Sequence, residues 1–347
     1  MNISRRSLFL ATSTIAAALG SLLAGGAAAQ APIRIGSTLA LTGPLSATAM
    51  THKLVGEIYV EQLNARGGLL GRKVEWSVKD DQSKPDIART MYEQIVTSDK
   101  VDLLMGPYAT GAILSAMGVA QRYNKVLVHH TFGIPSLAKY EGAFPAWSLG
   151  ADPGTTVPNM VLDALAASPK PPKTVAFVTS KFPSIHFMTL GAREVAKKRG
   201  LTEVLFLEWE FGNRDFGPIA ARIKDVKADL VWMGDIALEG NMLLDAMKKI
   251  DYVPPLHFHT YPAPGPMTKS PDGANALSLT IFEEHAPFTN NAVAAEFIKI
   301  FNDRAAKAGL PDTMSKCRPP RRSRRGRFWR PACAARTAWT TRRSCNG

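Results

Sequence analysis

Between Gln30 and Lys316 the chain has no cysteine; Cys317, Cys333 and Cys345 all fall in the last stretch, residues 317–347. A body without thiols can build neither a disulfide framework nor a thiolate metal site. It suits an exported protein with nothing to misoxidise. Residues 317–347 have gaps of their own: no Leu, Ile, Val, Lys, Asp or Glu, against ten arginines. Long apolar runs are also scarce. The one candidate, Leu8 to Leu23, is broken by Thr12, Ser13, Thr14 and Gly20, and falls short of the roughly 20 apolar residues of a membrane-spanning helix. No Gly-x-Ser-x-Gly elbow, Gly-x-x-x-x-Gly-Lys loop or His-Glu-x-x-His helix occurs, which disfavours the hydrolase, nucleotidase and metalloprotease chemistries those motifs serve. No catalytic residue is assigned, no cofactor is expected, and the chain is not read as an enzyme.

The charge that is present is unevenly placed. The formal net charge of +13 suggests a nucleic-acid or membrane-surface partner until its location is considered. Without Arg5, Arg6 and the ten arginines of residues 317–347, 30 basic residues face 29 acidic ones, a net of +1. The body is electrically ordinary, with the composition of a soluble globular protein. At the start, Arg5 and Arg6, the apolar stretch and then Ala27, Ala28 and Ala29 follow the order of a cleavable export signal over residues 1–29, cut near Ala29/Gln30. Ser4-Arg5-Arg6-Ser7-Leu8-Phe9-Leu10 fits either a twin-arginine signal or an ordinary secretory one. The expected location is the periplasm.

From Ile33 onward the pattern alternates. Strands are predicted at Ile33 to Leu39, Arg72 to Lys79, Val101 to Met105 and Lys125 to His129, with helices between them: one carrying Val55, Ile58, Tyr59 and Leu63 and stopped by Gly67-Gly68, one opening at Pro85, and one over Thr110 to Arg122. After a loop around Asp152-Pro153-Gly154 the alternation resumes. Strands are predicted at Thr174 to Val178, Glu203 to Leu207, Asp229 to Met233 and Leu256 to His259, and helices at Phe187 to Arg199, Phe216 to Val226 and Leu238 to Ile250. Short apolar strands separated by helices form parallel sheets covered on both faces. Two such runs predict two doubly wound α/β lobes. In open parallel sheets ligands sit beyond the strands' carboxyl ends, which directs attention to Leu41 to Ser46, Gly106 to Gly111, His129 to Gly133, Ser180 to Ile185, Gly234 to Leu238 and Thr260 to Pro264.

Some motifs have local readings. Gly67-Gly68 and Gly71 allow a sharp helix-to-strand turn. Asp80, Asp81 and Ser83 ahead of Pro85 fit capping of the following helix, because carboxylates and hydroxyls accept first-turn N–H groups; two adjacent carboxylates are thin coordination for calcium or magnesium. Thr110, where a strand runs into a helix, either caps that helix or faces a carboxylate held by converging N–H groups. His129 and His130 point to opposite faces if extended; His257 and His259 share one. No third ligand accompanies them, so no metal site is assigned.

Ile35-Gly36 with Leu41-Thr42-Gly43-Pro44, then Leu63-Asn64-Ala65-Arg66-Gly67-Gly68-Leu69-Leu70-Gly71-Arg72-Lys73, then Asp80-Asp81-Gln82-Ser83-Lys84-Pro85, then Gly106-Pro107 stand in an order and spacing that resembles the leucine/isoleucine/valine-type periplasmic binding proteins of ABC transporters. The resemblance covers roughly residues 32 to 314. It implies a type I periplasmic binding protein fold, two lobes joined by a multi-strand hinge that closes on a ligand: residues 30–150 with 286–316 returning as the first lobe, 151–285 as the second. It implies capture of an amino acid, branched-chain in the first place, or a related amide or carboxylate, and delivery to a membrane ABC permease by a monomeric protein with no nucleic-acid partner. Carried over by position, the ligand's carboxylate falls to Tyr108, Ala109 and Thr110 with His130 and Thr131, and its ammonium end to Ser184 (or Ile185), Asp235 and Tyr261. Ala109 stands where family members often have serine. Asp235 either pairs with the ammonium or caps the helix that follows.

A sensory ligand-binding domain and, from Arg318 to Arg330 with Phe328 and Trp329, an arginine-rich nucleic-acid arm are the alternatives. The composition breaks abruptly at Cys317, where the resemblance leads one to expect an alanine- and tyrosine-rich helix. We read residues 317–347 as a disordered, aberrant tail left by a reading-frame shift, with the true C-terminal part missing.

Overall fold

A computed structural model describes residues 30–146, 149–262, 276–279 and 286–310. The expected export signal over 1–29 and the arginine-rich tail over 317–347 lie outside them, as do residues 311–316 of the expected return to the first lobe and the end of the loop expected at Thr260 to Pro264.

The first lobe begins with β1 (Ile33–Leu39), α1 (Ser46–Ala65), β2 (Val74–Asp80), α2 (Pro85–Thr97), β3 (Leu103–Met105), α3 (Thr110–Arg122), β4 (Leu127–His129) and β5 (Ala143–Pro145). Its sheet runs β2-β1-β3-β4-β5 with every pairing parallel. Helix α1 ends where Gly67 and Gly68 take φ of 101° and 77°, and a Cβ on Gly68 would meet the Arg72 carbonyl oxygen at 1.9 Å, so only glycine turns the chain there. Pro85 occupies the first turn of α2, where its missing N–H is no loss. Ile95, Val101, Leu104, Ile113, Met117 and Leu127 knit α2, α3 and the sheet into one core.

The second lobe contains α4 (Pro153–Ala166), β6 (Thr174–Ser180), α5 (Pro183–Lys198), β7 (Thr202–Trp209), α6 (Gly217–Val226), β8 (Leu230–Ala237), α7 (Glu239–Lys248), β9 (His257–Pro262) and β10 (Ala276–Ser278), in the parallel order β10-β9-β8-β6-β7. All eight residues of β8 are buried. That fits its mostly apolar sequence, since a strand covered on both faces has no polar side, and Asp235, its one charged residue, is buried with hydrogen-bond partners of its own. One core lies on each face of this sheet, around Val178, Met233 and Leu243 on one side and Phe177, Trp232 and Met188 on the other. Helix α8 (Ala292–Lys307) returns to the first lobe. There Phe301 and Ala305 pack on Leu54 and Ile58 of α1, and Arg304 pairs with Glu61.

The structure departs from the sequence reading at several places. Helix α4 falls where a loop was expected, because Pro153 sits in its first turn and Pro158 is carried inside it. Helix α5 starts at Pro183 rather than Phe187, again with proline at its first position. Helix α8 and the three-residue β5 were not foreseen; so short a strand carries no periodicity of its own. Finally, Asp80, Asp81 and Ser83 do not cap α2, whose first turn has no side-chain cap. Asp80 accepts from the backbone N–H and hydroxyl of Thr42, Asp81 accepts from the Thr38 hydroxyl, and Ser83 donates to the Thr42 carbonyl. The acidic pair instead ties the end of β1 and the loop after it to the end of β2.

Among the described residues, no helix is long and apolar enough to cross a membrane.

Candidate functional site

The two lobes meet across the carboxyl ends of their strands. Leu39, Leu45, Ala49, Tyr108 and Ala109 from the first lobe form one apolar cluster with Ile185, Ile236 and Ala237 from the second, edged by Trp76, Phe182, Phe211 and Tyr261. This is where the strand-end rule places a ligand site. The approach is close: a Cβ on Gly133 would stand 2.5 Å from the Ser184 Cβ and 3.6 Å from the Thr110 hydroxyl oxygen. A groove of about 610 Å³, lined by Arg34, Glu75, Trp76, Ser77, Asp99 and Lys100, opens toward the amino ends of the first sheet's strands.

Sheet ends supply the polar groups. The Thr110 hydroxyl accepts the Gly133 N–H at 3.0 Å, and the Thr131 hydroxyl accepts the Ala109 N–H at 3.2 Å. Each hydroxyl therefore keeps its own hydrogen to donate, and the two lie on adjacent loops. Thr110 is not a helix cap; Ala109 holds the cap position, without a side-chain bond. Ala109 and Thr131 have φ of 79° and 60°, a strained backbone for non-glycine residues that costs about 1–3 kcal/mol each and gathers at ligand-binding sites. Gly106 permits the fold of this corner, since a Cβ there would come within 2.6 Å of the His129 Cβ.

Tyr108 is buried, and burial pushes its phenol up to about 12. Tyr261, from the other lobe, has its phenol raised by burial and then by Tyr108, and its hydroxyl is buried without a hydrogen-bond partner. Ser184 opens α5 opposite Gly133, and Ile185 lies inside the interlobe cluster. His130 hydrogen-bonds His52 of α1 at 3.0 Å, and the His52 ring packs on Tyr108 with centroids 4.9 Å apart. Burial lowers His130 to about 4 and His52 to about 3, each with a smaller push from a neighbouring histidine, so both rings are neutral.

Asp235 departs from expectation. Fully buried, it accepts from His259 at 2.6 Å through Oδ2 and from the Thr260 N–H at 2.9 Å through Oδ1. His259 in turn meets His257 at 2.9 Å. Both carboxylate oxygens are thus engaged inside the second lobe, and Asp235 neither holds an ammonium group nor caps α7. Glu239, also buried, accepts from the Gly212 N–H at 3.1 Å and the Ser180 hydroxyl at 3.4 Å, and burial pushes its carboxyl up to about 7. Among the described residues no group of three metal ligands forms.

The structure thus brings Tyr108, Ala109, Thr110, Thr131, His130, Ser184 and Tyr261 to one junction and leaves Asp235 behind it. Sequence reasoning missed His52 and Thr48 on α1 and the rings of Trp76, Phe182 and Phe211. A signal for the first two was present: Leu45, Thr48, Ala49 and His52 share one helix face by spacing, and polar residues on a stripe that is otherwise buried mark a site rather than a core.

The family model described as "Periplasmic binding protein" matches residues 32–316. The Leu/Ile/Val-binding protein of Rhizobium johnstonii is 28% identical over 232 residues, 66% of this chain and 62% of that protein. The match thus spans less than two thirds of that relative's length. In structure, a branched-chain amino acid transporter substrate-binding protein from Streptococcus pneumoniae, in complex with isoleucine, is similar with a TM-score of 0.63 at 19% identity, covering 81% of this chain and 78% of that one. A solute-binding protein of an ABC transporter from R. palustris, in complex with benzoate, is similar with a TM-score of 0.67 at 17% identity, covering 81% and 75%. At these identities the structural likeness establishes the fold, two parallel-sheet lobes of the type I periplasmic binding protein kind.

Proposed function

This chain belongs to the periplasmic binding protein family, and from that premise we propose that it captures a small solute between its lobes and hands it to an ABC transporter permease. The carrying observation is the interlobe cluster, in which Tyr108 and Ala109 face Ile185, Ile236 and Tyr261, beside two threonine hydroxyls with hydrogens left to donate. An apolar cleft with a few convergent polar groups is the usual form of a small-molecule site. The solute enters between open lobes, its acidic end meets the Thr110 and Thr131 hydroxyls, and Ser184, Ile185 and Tyr261 close over the remainder. Closure follows from tighter binding to the closed form and from nothing else.

The moving bodies in this reading are residues 30–150 with 286–316, and 151–285. Export to the periplasm, removal of residues 1–29, action as a monomer, and capture without catalysis, cofactor or nucleic acid complete it. The ligand class is a branched-chain amino acid or a related amide or carboxylate. The isoleucine and benzoate held by the two similar structures support both ends of that range. A thermal-shift screen of amino acids, aromatic and aliphatic acids and their amides on the full chain tests it. A solute at about 100 times its Kd stabilises the native state by about 2.7 kcal/mol and raises Tm. If no compound raises Tm, the reading fails.

A further inference from the structure

Two imidazoles stand against the proposed carboxylate site, and the role assigned there leaves them unexplained. His52 Nδ1 and His130 Nε2 share a hydrogen bond of 3.0 Å; the ring centroids are 4.8 Å apart and the planes are inclined at 61°. A neutral pair has one proton for that contact, so each tautomer leaves a problem at the outer nitrogen. His130 Nδ1 is buried with no partner in the protein. If His130 donates to His52, Nδ1 is a bare lone pair; if it accepts, Nδ1 carries an N–H with no acceptor. Tyr261 Oη, near the same junction, is buried and unpartnered as well.

Few titratable groups face the pair. On α1, the neighbouring Lys53 pairs with Glu57. From the end of β4 comes His129, buried beside Phe132; from the loop after β3 comes the Tyr108 phenol; from the second lobe, Tyr261 reaches Tyr108. The charge interactions resolved for the pair come from its own members and His129, and none from a carboxylate. The pair therefore lacks the anion that would make either ring an imidazolium.

We propose that the His52–His130 pair is the acid-recognition element of the cleft, taking up one proton together with a carboxylate ligand. The proposal rests on the solute-capture reading. The proton comes from solvent and ends on the imidazole pair, with His130 Nδ1–H donating to a carboxylate oxygen; no other bond forms or breaks. A charge-assisted bond of this kind is about twice as strong as a neutral one. An amide can also satisfy the bare lone pair, but it brings no negative charge and so binds without a proton. The cleft then distinguishes an acid from its amide by pH.

In the unliganded protein burial keeps both rings neutral down to about pH 4. A bound carboxylate raises the pair's affinity for a proton, so acid affinity climbs as pH falls from the bound-state value toward about 4. The slope is at most tenfold per pH unit for one proton. The experiment measures Kd from pH 5 to pH 8 by calorimetry for the carboxylates of the screen, benzoate and isoleucine among them, each against its amide, in buffers of differing ionisation enthalpy. Expected are a rising affinity at low pH and net proton uptake for the acids, with neither for the amides. His130→Asn keeps a polar atom near the Nδ1 position and should abolish the slope; His52→Gln provides the second variant should the first not fold. Flat acid profiles, or a slope that survives in the folded variant, overturn the proposal. Binding by amides or other neutral solutes alone also overturns it and leaves solute capture standing. If no compound binds, capture itself fails and the proposal with it.

Discussion

His259 and Asp235 are joined by a 2.6 Å hydrogen bond between Nδ1 and Oδ2, with neither side chain exposed. The bond sits in a row of buried polar groups that also includes His257 and the Thr260 N–H. Removing the carboxylate strands two donors in the interior, and each unsatisfied buried group costs about 1–3 kcal/mol. Asp235→Ala should therefore lower stability by about 2–5 kcal/mol in urea unfolding. Asp235→Asn should cost less, because an amide oxygen can still accept from Thr260. Where the variant folds, solute affinity should hold within about threefold, since Asp235 does not line the junction. A selective loss of affinity with normal stability would put Asp235 back in the site.

Gly133 and Ser184 touch only when the lobes are together. A methyl group on Gly133 would fall 2.5 Å from the Ser184 Cβ, and overpacking of this kind costs about 1–3 kcal/mol. In Gly133→Ala that cost falls on the closed form alone. Affinity for a solute found in the screen should drop by about 5- to 150-fold, while urea stability of the unliganded chain changes by less than about 1 kcal/mol. In a Ser184→Gly background, which lacks the facing Cβ, adding Gly133→Ala should cost far less affinity than it does in the wild type. Small-angle scattering of the ligand-saturated single variant should show a larger radius of gyration than wild type.

Thr110 and Thr131 each accept one backbone N–H and keep one hydrogen. Hydrogen bonds to charged groups contribute about 1.5–3 kcal/mol, so Thr110→Val or Thr131→Val should weaken binding of a carboxylate by about 10- to 100-fold. Thr110→Ser, which keeps the hydroxyl, should stay near wild type. Equal behaviour of Val and Ser at this position in calorimetry would remove the hydroxyl from the recognition scheme.

Glu239 gives a pH dependence of known sign. Burial raises its carboxyl in the folded state to about 7, above the roughly 4.3 of an unfolded chain. Between these values the folded state binds more protons than the unfolded one. Its contribution is complete below about pH 4 and is lost as pH rises to about 7, by up to about 1.4 kcal/mol per unit. His52 and His130, lowered by burial, act in the opposite direction between about 4 and 6.5, so the difference between proteins is the quantity to read. Glu239→Gln, relative to wild type, should gain stability from pH 5 to pH 8 in urea titrations. A constant difference would show that Glu239 ionises normally.

The architecture was legible because local rules set it. The chain from Ile33 to Arg122 alternates apolar strand and amphipathic helix with glycine and proline at the joints, and α3 begins and ends at Thr110 and Arg122 as its pattern indicates. The covered faces of β6 and β8 follow from the apolar runs Val175 to Val178 and Leu230 to Met233 inside them. Helix α4 was hidden because Asp152-Pro153-Gly154 reads as a loop until Pro153 is placed in a first helical turn. The motif order around Gly67 and Asp80 already carried the family. Strand ends also indicated correctly which loops would meet, because a parallel sheet sends its carboxyl ends to one side.

What each side chain does at that junction depended on partners far away in sequence. Asp235 looks like an available acid at a strand end, and only the pairing of β8 with β9 sets His259 against it. His130 looks like one of two adjacent histidines, and only the packing of α1 on the sheet brings His52 to it across 78 positions. Local sequence fixes secondary structure through short-range sterics and periodic burial. The state of a titratable group is set by whatever is within a few ångströms of it, and in a two-lobed fold the tertiary structure supplies that neighbour.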